Sequence, residues 1–229
     1  MSLISRTFPG GAFGGGASPY LCFDRNAISN CGDSDSPFAA ILNSGGFSYF
    51  HLEDFEDSSL NAPGVTANTN TEVHGPASNT DSVDADDGSI DGSGIGGHSF
   101  FSSSGSTGIT FTFDAGTLGA LPTVTGIVWT DGAGTTSFEA FGAAGQSLGT
   151  IGPATIADSV FIGGTNDDHF FGWTDAGGIS KINISNTSGG IEVDHLQYGS
   201  RNVPEPAILS LFGAGLVTLV WARRRRKAA

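Results

Sequence analysis

Between Tyr20 and Gly199 no stretch sustains the three-to-four-residue apolar spacing of a helix, and this rules out most ways a chain of 229 residues could build a core. What recurs instead is alternation. Ile109-Thr110-Phe111-Thr112-Phe113 places apolar residues at every second position, as does Ile182 and Ile184 between Lys181, Asn183 and Ser185. A period of two fits a sheet with one dry and one wet face. Further strands are expected at Phe47 to Phe55, Thr123 to Thr130, Thr136 to Phe141, Gln146 to Ile151, Ser159 to Ile162, His169 to Thr174 and Ile191 to Tyr198. Gly, Pro, Asp and Asn clusters separate them, and the chain's 36 glycines supply the turns. Eight to ten strands at this spacing predict an all-β fold, an antiparallel β-sandwich of jelly-roll type.

The last strand changes phase. Ile191 and Val193 fall on one face and Leu196 and Tyr198 on the other, so a bulge near Asp194 or His195 is expected. Three parts follow from the pattern: a flexible Gly-rich segment at 1–19, a β domain at 20–199 with an irregular acidic excursion at 58–97, and a tail at 200–229. The first segment has no apolar run of the ~7 to 15 residues that export requires, so either the true start lies upstream or this copy is truncated and not exported. Cys22 and Cys31 would allow one small disulfide loop in an oxidising compartment, and no CxxC or Cys/His set accompanies them.

Charge is unevenly placed. The formal net charge is −14, yet 22 of the 23 acidic residues precede Val203, against only four of the nine basic ones. A body this acidic is repelled by phosphate backbones, which argues against nucleic acid as a partner, and it attracts cations. The basic residues gather at the other end. Val203-Pro204-Glu205-Pro206 precedes sixteen uncharged residues, Ala207 to Ala222, and then Arg223, Arg224, Arg225, Arg226 and Lys227. The apolar run includes Ala207, Ile208, Leu209, Leu211, Phe212, Leu216, Val217, Leu219, Val220 and Trp221. As a helix it spans roughly 24 Å, a little short of a ~30 Å hydrocarbon core, and Trp221 with snorkelling arginines closes the gap. A cationic end stays cytoplasmic, which places the acidic body outside.

This three-part tail resembles the PEP-CTERM sorting signal. The resemblance implies recognition near Pro204-Glu205-Pro206 by a membrane peptidase of the exosortase type, anchoring in the cell membrane, and release or transfer to an exopolysaccharide-rich surface or matrix. The body, with LEDFED at Leu52 to Asp57 and IEVDHLQYG at Ile191 to Gly199, is similar to the β domains attached to such tails.

Sites are less marked. Gly145-Gln146-Ser147-Leu148-Gly149 fits a nucleophile-elbow pattern, but Thr-Ile-Gly-Pro follows where a helix is required, so two strands and a turn are the better reading. His51, His74, His98, His169 and His195 show no zinc spacing. Asp81, Asp84, Asp86, Asp87 and Asp91 form an oxygen-rich stretch that suits calcium, though its spacing departs from an EF-hand and a solvated acidic loop is favoured. A second calcium set is Asp54, Glu56 and Asp194, drawn with Glu53, Asp57 and Glu192 from the first and last strands, which are neighbours in the carbohydrate-binding jelly rolls that this arrangement resembles. Trp129 and Trp173, in WTDG and WTDA, are either core residues or platforms for sugar rings. The expected role is a non-enzymatic surface or matrix protein that binds polysaccharide, with a secreted polysaccharide hydrolase or a non-exported copy as alternatives.

Overall fold

Alternating segments pair edge to edge because each leaves one row of backbone donors and acceptors open. The computed structural model describes residues 46–83, 96–157, 160, 161, 163 and 168–201. The expectations for residues 1–19, Cys22, Cys31, Asp84, Asp86, Asp87, Asp91 and Val203 to Lys227 fall outside these residues.

Nine strands lie among the described residues: β1 (Phe47–Glu53), β2 (Val65–Ala67), β3 (Thr71–His74), β4 (Ser99–Ser102), β5 (Ile109–Phe113), β6 (Val124–Gly142), β7 (Ser147–Ala154), β8 (His169–Thr174) and β9 (Ile179–Arg201). They form one sheet, and every pairing is antiparallel. One four-residue helix, α1 (Ala115–Leu118), turns the chain between β5 and β6. Asp114 caps its first amides and Gly119 ends it in the left-handed region. Among the described residues no helix is long and apolar enough to cross a membrane.

The organising unit is a ribbon of two long strands. β9 pairs with β6 from Gly142↔Ile179 to Val124↔Gly199. Its other edge takes β5 (Ile109↔Ile184), then β4 (Ser102↔Ile191), then β1 (Glu53↔Leu196 to Phe47↔Arg201). β2 extends the sheet beyond β5, β3 extends it beyond β4, and β7 and β8 share the far edge of β6. The first and last strands are therefore neighbours.

Four of the expected segments or groups of segments differ from what forms. Thr123 to Thr130 and Thr136 to Phe141 are one strand, because the Asp131-Gly132-Ala133-Gly134 stretch is absorbed as bulges and not as a turn. The register shifts there three times, and Gly134 takes φ +84°. Likewise Ile179 to Ser185 and Ile191 to Tyr198 run on as β9 through Asn186 to Gly190. Val160 and Phe161, expected within a strand at Ser159 to Ile162, are not in one. The 58–97 excursion carries β2 and β3, and Asp81 to Val83 within it are buried. Short strands at a sheet edge borrow their order from a longer neighbour, so they leave little pattern of their own.

The bulge in the last strand sits where the phase change places it. Gly126 faces Gln197 while Val128 faces Asp194, so β9 holds one extra residue, and His195 adopts φ +49°. The bulge lets Ile191 and Val193 on one side of it, and Leu196 and Tyr198 on the other, enter the same core. That core also takes Phe111, Phe113, Trp129, Phe138, Phe171, Trp173, Ile182 and Ile184. A smaller cluster of Phe50, Val83, Val124, Val128 and Phe170 lies on the opposite face of the ribbon.

Candidate functional site

Two neighbouring rows of side chains cross four strands and show what the alternation produces. In the first row Val73 pairs with Phe100, Phe100 with Val193, and Val193 with Trp129, on β3, β4, β9 and β6. All four belong to or pack against the large core. In the next row Glu72 pairs with Phe101, Phe101 with Glu192, and Glu192 with Asp131. Residues directly opposite share a face, so this second row points away from the core.

The second row floors a cleft of about 380 Å³, whose lining also includes His74, Asn79, Phe161 and the glycines 132, 189 and 190. Phe101 packs on Gly190, where an added Cβ would meet its ring at 2.8 Å, and His74 tilts against the same ring at 5.6 Å. Phe161 stands 55% exposed at the cleft, one of two large apolar side chains so exposed among the described residues. The glycine floor has a physical cause. At Gly132 a Cβ would lie 1.7 Å from Nδ2 of Asn186, whose side chain accepts from Trp129 Nε1 (3.1 Å) and Thr136 Oγ1 (3.0 Å) and donates to the Gly190 carbonyl (3.0 Å). Asn186 thus secures the bulged stretch of β6 and β9 from beneath.

The acids differ in how they are held. Glu72 is exposed at the rim. Asp131 is nearly buried, and its carboxylate accepts from the Gly132 amide. Glu192 is 4% exposed; one oxygen accepts from Ser99 Oγ and from the Asp81 amide (3.0 Å). Burial pushes its carboxyl up to about 7 against those hydrogen bonds, and the charge of Asp194 adds to the rise. Asp194 is fully buried and accepts from the Val83 amide (2.8 Å) and the His195 amide (2.6 Å), with His195 Nδ1 3.3 Å away. Glu192 and Asp194 therefore pin Asp81 to Val83 across the ribbon.

The acids of LEDFED mostly serve their own loop. Glu53 is buried and accepts from the amides of Phe55, Asn61 and Ala62, closing residues 55–62 around one carboxylate. Asp54 accepts from the Glu56 amide (3.2 Å), and Asp57 accepts from the Ser59 amide and the Asn61 side chain. Glu56 accepts from the His98 amide (2.6 Å), with His98 Nδ1 at 3.3 Å, and burial followed by the charge of Asp194 raises its pKa. Of the calcium set, Glu56 lies within reach of the charge of Asp194, while Asp54 is held by its own turn. Among the described residues no three His, Cys, Asp or Glu side chains are grouped to hold a metal ion.

Two other sequence features resolve. Ser147 opens β7 after a turn closed by Gly145 N to Gly142 O (2.8 Å), so no nucleophile elbow forms. Trp129 and Trp173 are 0% and 2% exposed and belong to the core. The aromatic faces at the cleft are Phe101 and Phe161, which sequence reasoning missed. Asp131, two residues past Trp129, was the hint within WTDG.

A protein-family model described as the PEP-CTERM protein-sorting motif matches residues 202–226, directly after β9. The chain carries a PEP-CTERM sorting motif. The motif joins the β domain one residue beyond Arg201, without a linker between sheet and signal. No curated protein matches the chain. The solved structures similar to it include two carbohydrate-binding modules. The C-terminal family 22 carbohydrate-binding module of Clostridium thermocellum Xyn10B is 14% identical, with a TM-score of 0.35, over 71% of this chain and 98% of the module. A xylan-binding domain of the same module family is 13% identical, with a TM-score of 0.37, over 69% and 97%. At such scores the likeness assigns neither ligand nor site.

Proposed function

We propose that this is an exported surface or matrix protein, sorted through its PEP-CTERM tail by an exosortase-type membrane peptidase, whose β domain binds polysaccharide without turning it over. The observation that carries the binding reading is the cleft: two exposed or half-exposed aromatic rings, Phe101 and Phe161, stand over a glycine floor between Glu72, Asn79 and Asp131. Sugar rings stack on aromatic faces while their hydroxyls donate to carboxylates and amides, and a floor without side chains lets a flat ring approach the backbone. The jelly-roll sandwich is part of the same reading, supported by the adjacency of β1 and β9 and by apolar clusters on opposite faces of the ribbon. So is a transmembrane anchor at Ala207 to Ala222, supported by the uncharged run and the cationic end.

The test is retention of the full chain on a panel of insoluble polysaccharides. Wild type is expected to be retained by at least one, and Phe161→Ala, at an exposed ring whose loss leaves the core intact, is expected to lose about 1 to 3 kcal/mol of binding. Absence of retention on every polysaccharide rejects the reading. A hydrolase is the second reading, favoured by one observation: Glu192, raised toward neutrality by burial, lies directly across from a second carboxyl, Asp131, and glycoside hydrolysis uses a pair of carboxyls held in different environments. Soluble reducing ends appearing in the same incubations would establish it.

A structural calcium remains a proposal in narrower form, with Glu56 and Asp194 as its carboxylates and Asp54 recruited from its turn. The charge of Asp194 acting on Glu56 supports it. An ion that binds only the fold stabilises it by about 2.7 kcal/mol at a hundredfold excess over Kd, so calcium should raise Tm by several degrees, and Asp194→Asn should abolish the rise. Coincident melting curves with calcium and with chelator reject it. A rise lost instead on neutralising Asp84, Asp86 and Asp91 moves the ion to that loop.

A further inference from the structure

We propose that the cleft selects glycans bearing free amines, such as partly de-N-acetylated amino-sugar chains, over acidic glycans of the uronate type. The inference rests on the polysaccharide-binding reading above and names the substrate class. Its basis is the sign of the lining. Glu72, Asp131 and Glu192 line the cleft, and among the described residues His74 is the one basic side chain along it. The described residues contain only two Lys or Arg, and neither Lys181 nor Arg201 lines the cleft. Lys181 sits instead over the Phe141 ring at 4.2 Å.

A carboxylate-bearing sugar entering this cleft would bring like charge against Glu72 and Asp131, where no Lys or Arg among the described residues lines the walls. An ammonium on the same ring position meets the opposite situation. Glu72 and Asp131 stand at the two ends of one cross-strand row, with the Phe101 ring between Glu72 and Glu192. A sugar ring stacked on Phe101 therefore lies between Glu72 on one side and, beyond the buried Glu192, Asp131 on the other, so an amine at its edge can donate to one of these two end carboxylates. Such charge-assisted hydrogen bonds are roughly twice as strong as neutral ones, and partly buried walls focus the field. An N-acetyl group keeps the ring and the stacking but removes the charge.

Titration calorimetry on the full chain tests this with three oligosaccharides of one length: glucosamine, N-acetylglucosamine and a uronate. The glucosamine oligomer is expected to bind roughly tenfold or more tightly than its acetylated counterpart, the equivalent of one charge-assisted hydrogen bond, and the uronate not at all. Glu72→Gln, at an exposed rim position, and Asp131→Asn should each reduce the ratio of the amine affinity to the acetylated affinity, whatever either does to the acetylated oligomer's own binding. Equal affinity for the amine and the acetylated forms overturns the inference while leaving glycan binding intact. So does tight uronate binding. A preference that survives in the Glu72→Gln, Asp131→Asn double variant overturns it as well, because the amine would then be held by the acidic surface at large. Binding of no glycan of any kind defeats both readings together.

Discussion

The two halves of the β6/β9 ribbon are built from the same pair of strands and behave as different kinds of sheet. In the half formed by Thr136–Gly142 and Ile179–Ser185, buried and half-buried residues alternate along most of each strand. In the half formed by Val124–Gly132 and Ile191–Ser200, every residue is buried. The large core lies beneath both. The difference is the second face, which the first half turns largely toward solvent and the second half covers with Phe50, Val83, Phe170 and the segment Asp81 to Val83 pinned by Glu192 and Asp194. Alternation is therefore a property of what covers a strand as much as of the strand itself.

Aromatic truncation on the second face gives the largest contrast. Phe170 is 1% exposed and its ring lies over Gly126, whereas Phe141 is half-buried beneath Lys181. Phe170→Ala is expected to cost about 3 to 5 kcal/mol and Phe141→Ala about 1 kcal/mol, by chemical denaturation. Similar losses would break the distinction between the halves.

Added methyl groups sharpen the same point on a smaller scale. A Cβ at Gly126 would sit 2.0 Å from the buried Phe170 ring, while one at Gly142 would meet the flexible end of Gln146 at 2.2 Å. Gly126→Ala should destabilise by about 1 to 3 kcal/mol. Gly142→Ala should stay within about 0.5 kcal/mol, since Gln146 can swing aside.

The smallest effect is one of pH and belongs to the covered half alone. Glu192 holds its proton up to about pH 7 in the fold but only to about 4.5 in the unfolded chain. Between those values the native state binds more protons, so this group's contribution to stability is fullest below pH 4.5 and is lost as pH rises through 7. Glu192→Gln keeps an oxygen for Ser99 and Asp81 without the charge. Thermal melts should show the variant gaining on wild type from pH 5 to pH 8, and parallel Tm profiles would remove Glu192 as the source.

The open half was legible in the sequence and the covered half was not, for the reason this contrast supplies. Phe111, Phe113, Ile182 and Ile184 alternate because water wets their neighbours, and they are buried as the pattern predicts. Trp129 and its surroundings carry no such alternation, so WTDG looked like a strand end beside a turn when the strand runs straight through it. The phase change at Asp194-His195 was the exception, a covered stretch readable because its apolar residues still had to reach one core. Glu72, Phe101 and Asp131 come together through three cross-strand pairings that reach from Glu72 to Glu192, and spacing along the chain holds no trace of such a row. The sorting motif, by contrast, is a linear signal and was legible in the sequence.

At its last turn of pairing, β9 is bonded on both edges: Arg201 faces Phe47 of β1, and its amide donates to Thr123 Oγ1 just ahead of β6. The next residue begins the sorting motif. A pull on the tail directed along the strand would meet the hydrogen bonds of β1 and β6 together, in shear, and they would have to fail as a group. Hung from one end of a sheet in this way, the domain resists tension where a hairpin pulled apart at its tips would unzip bond by bond.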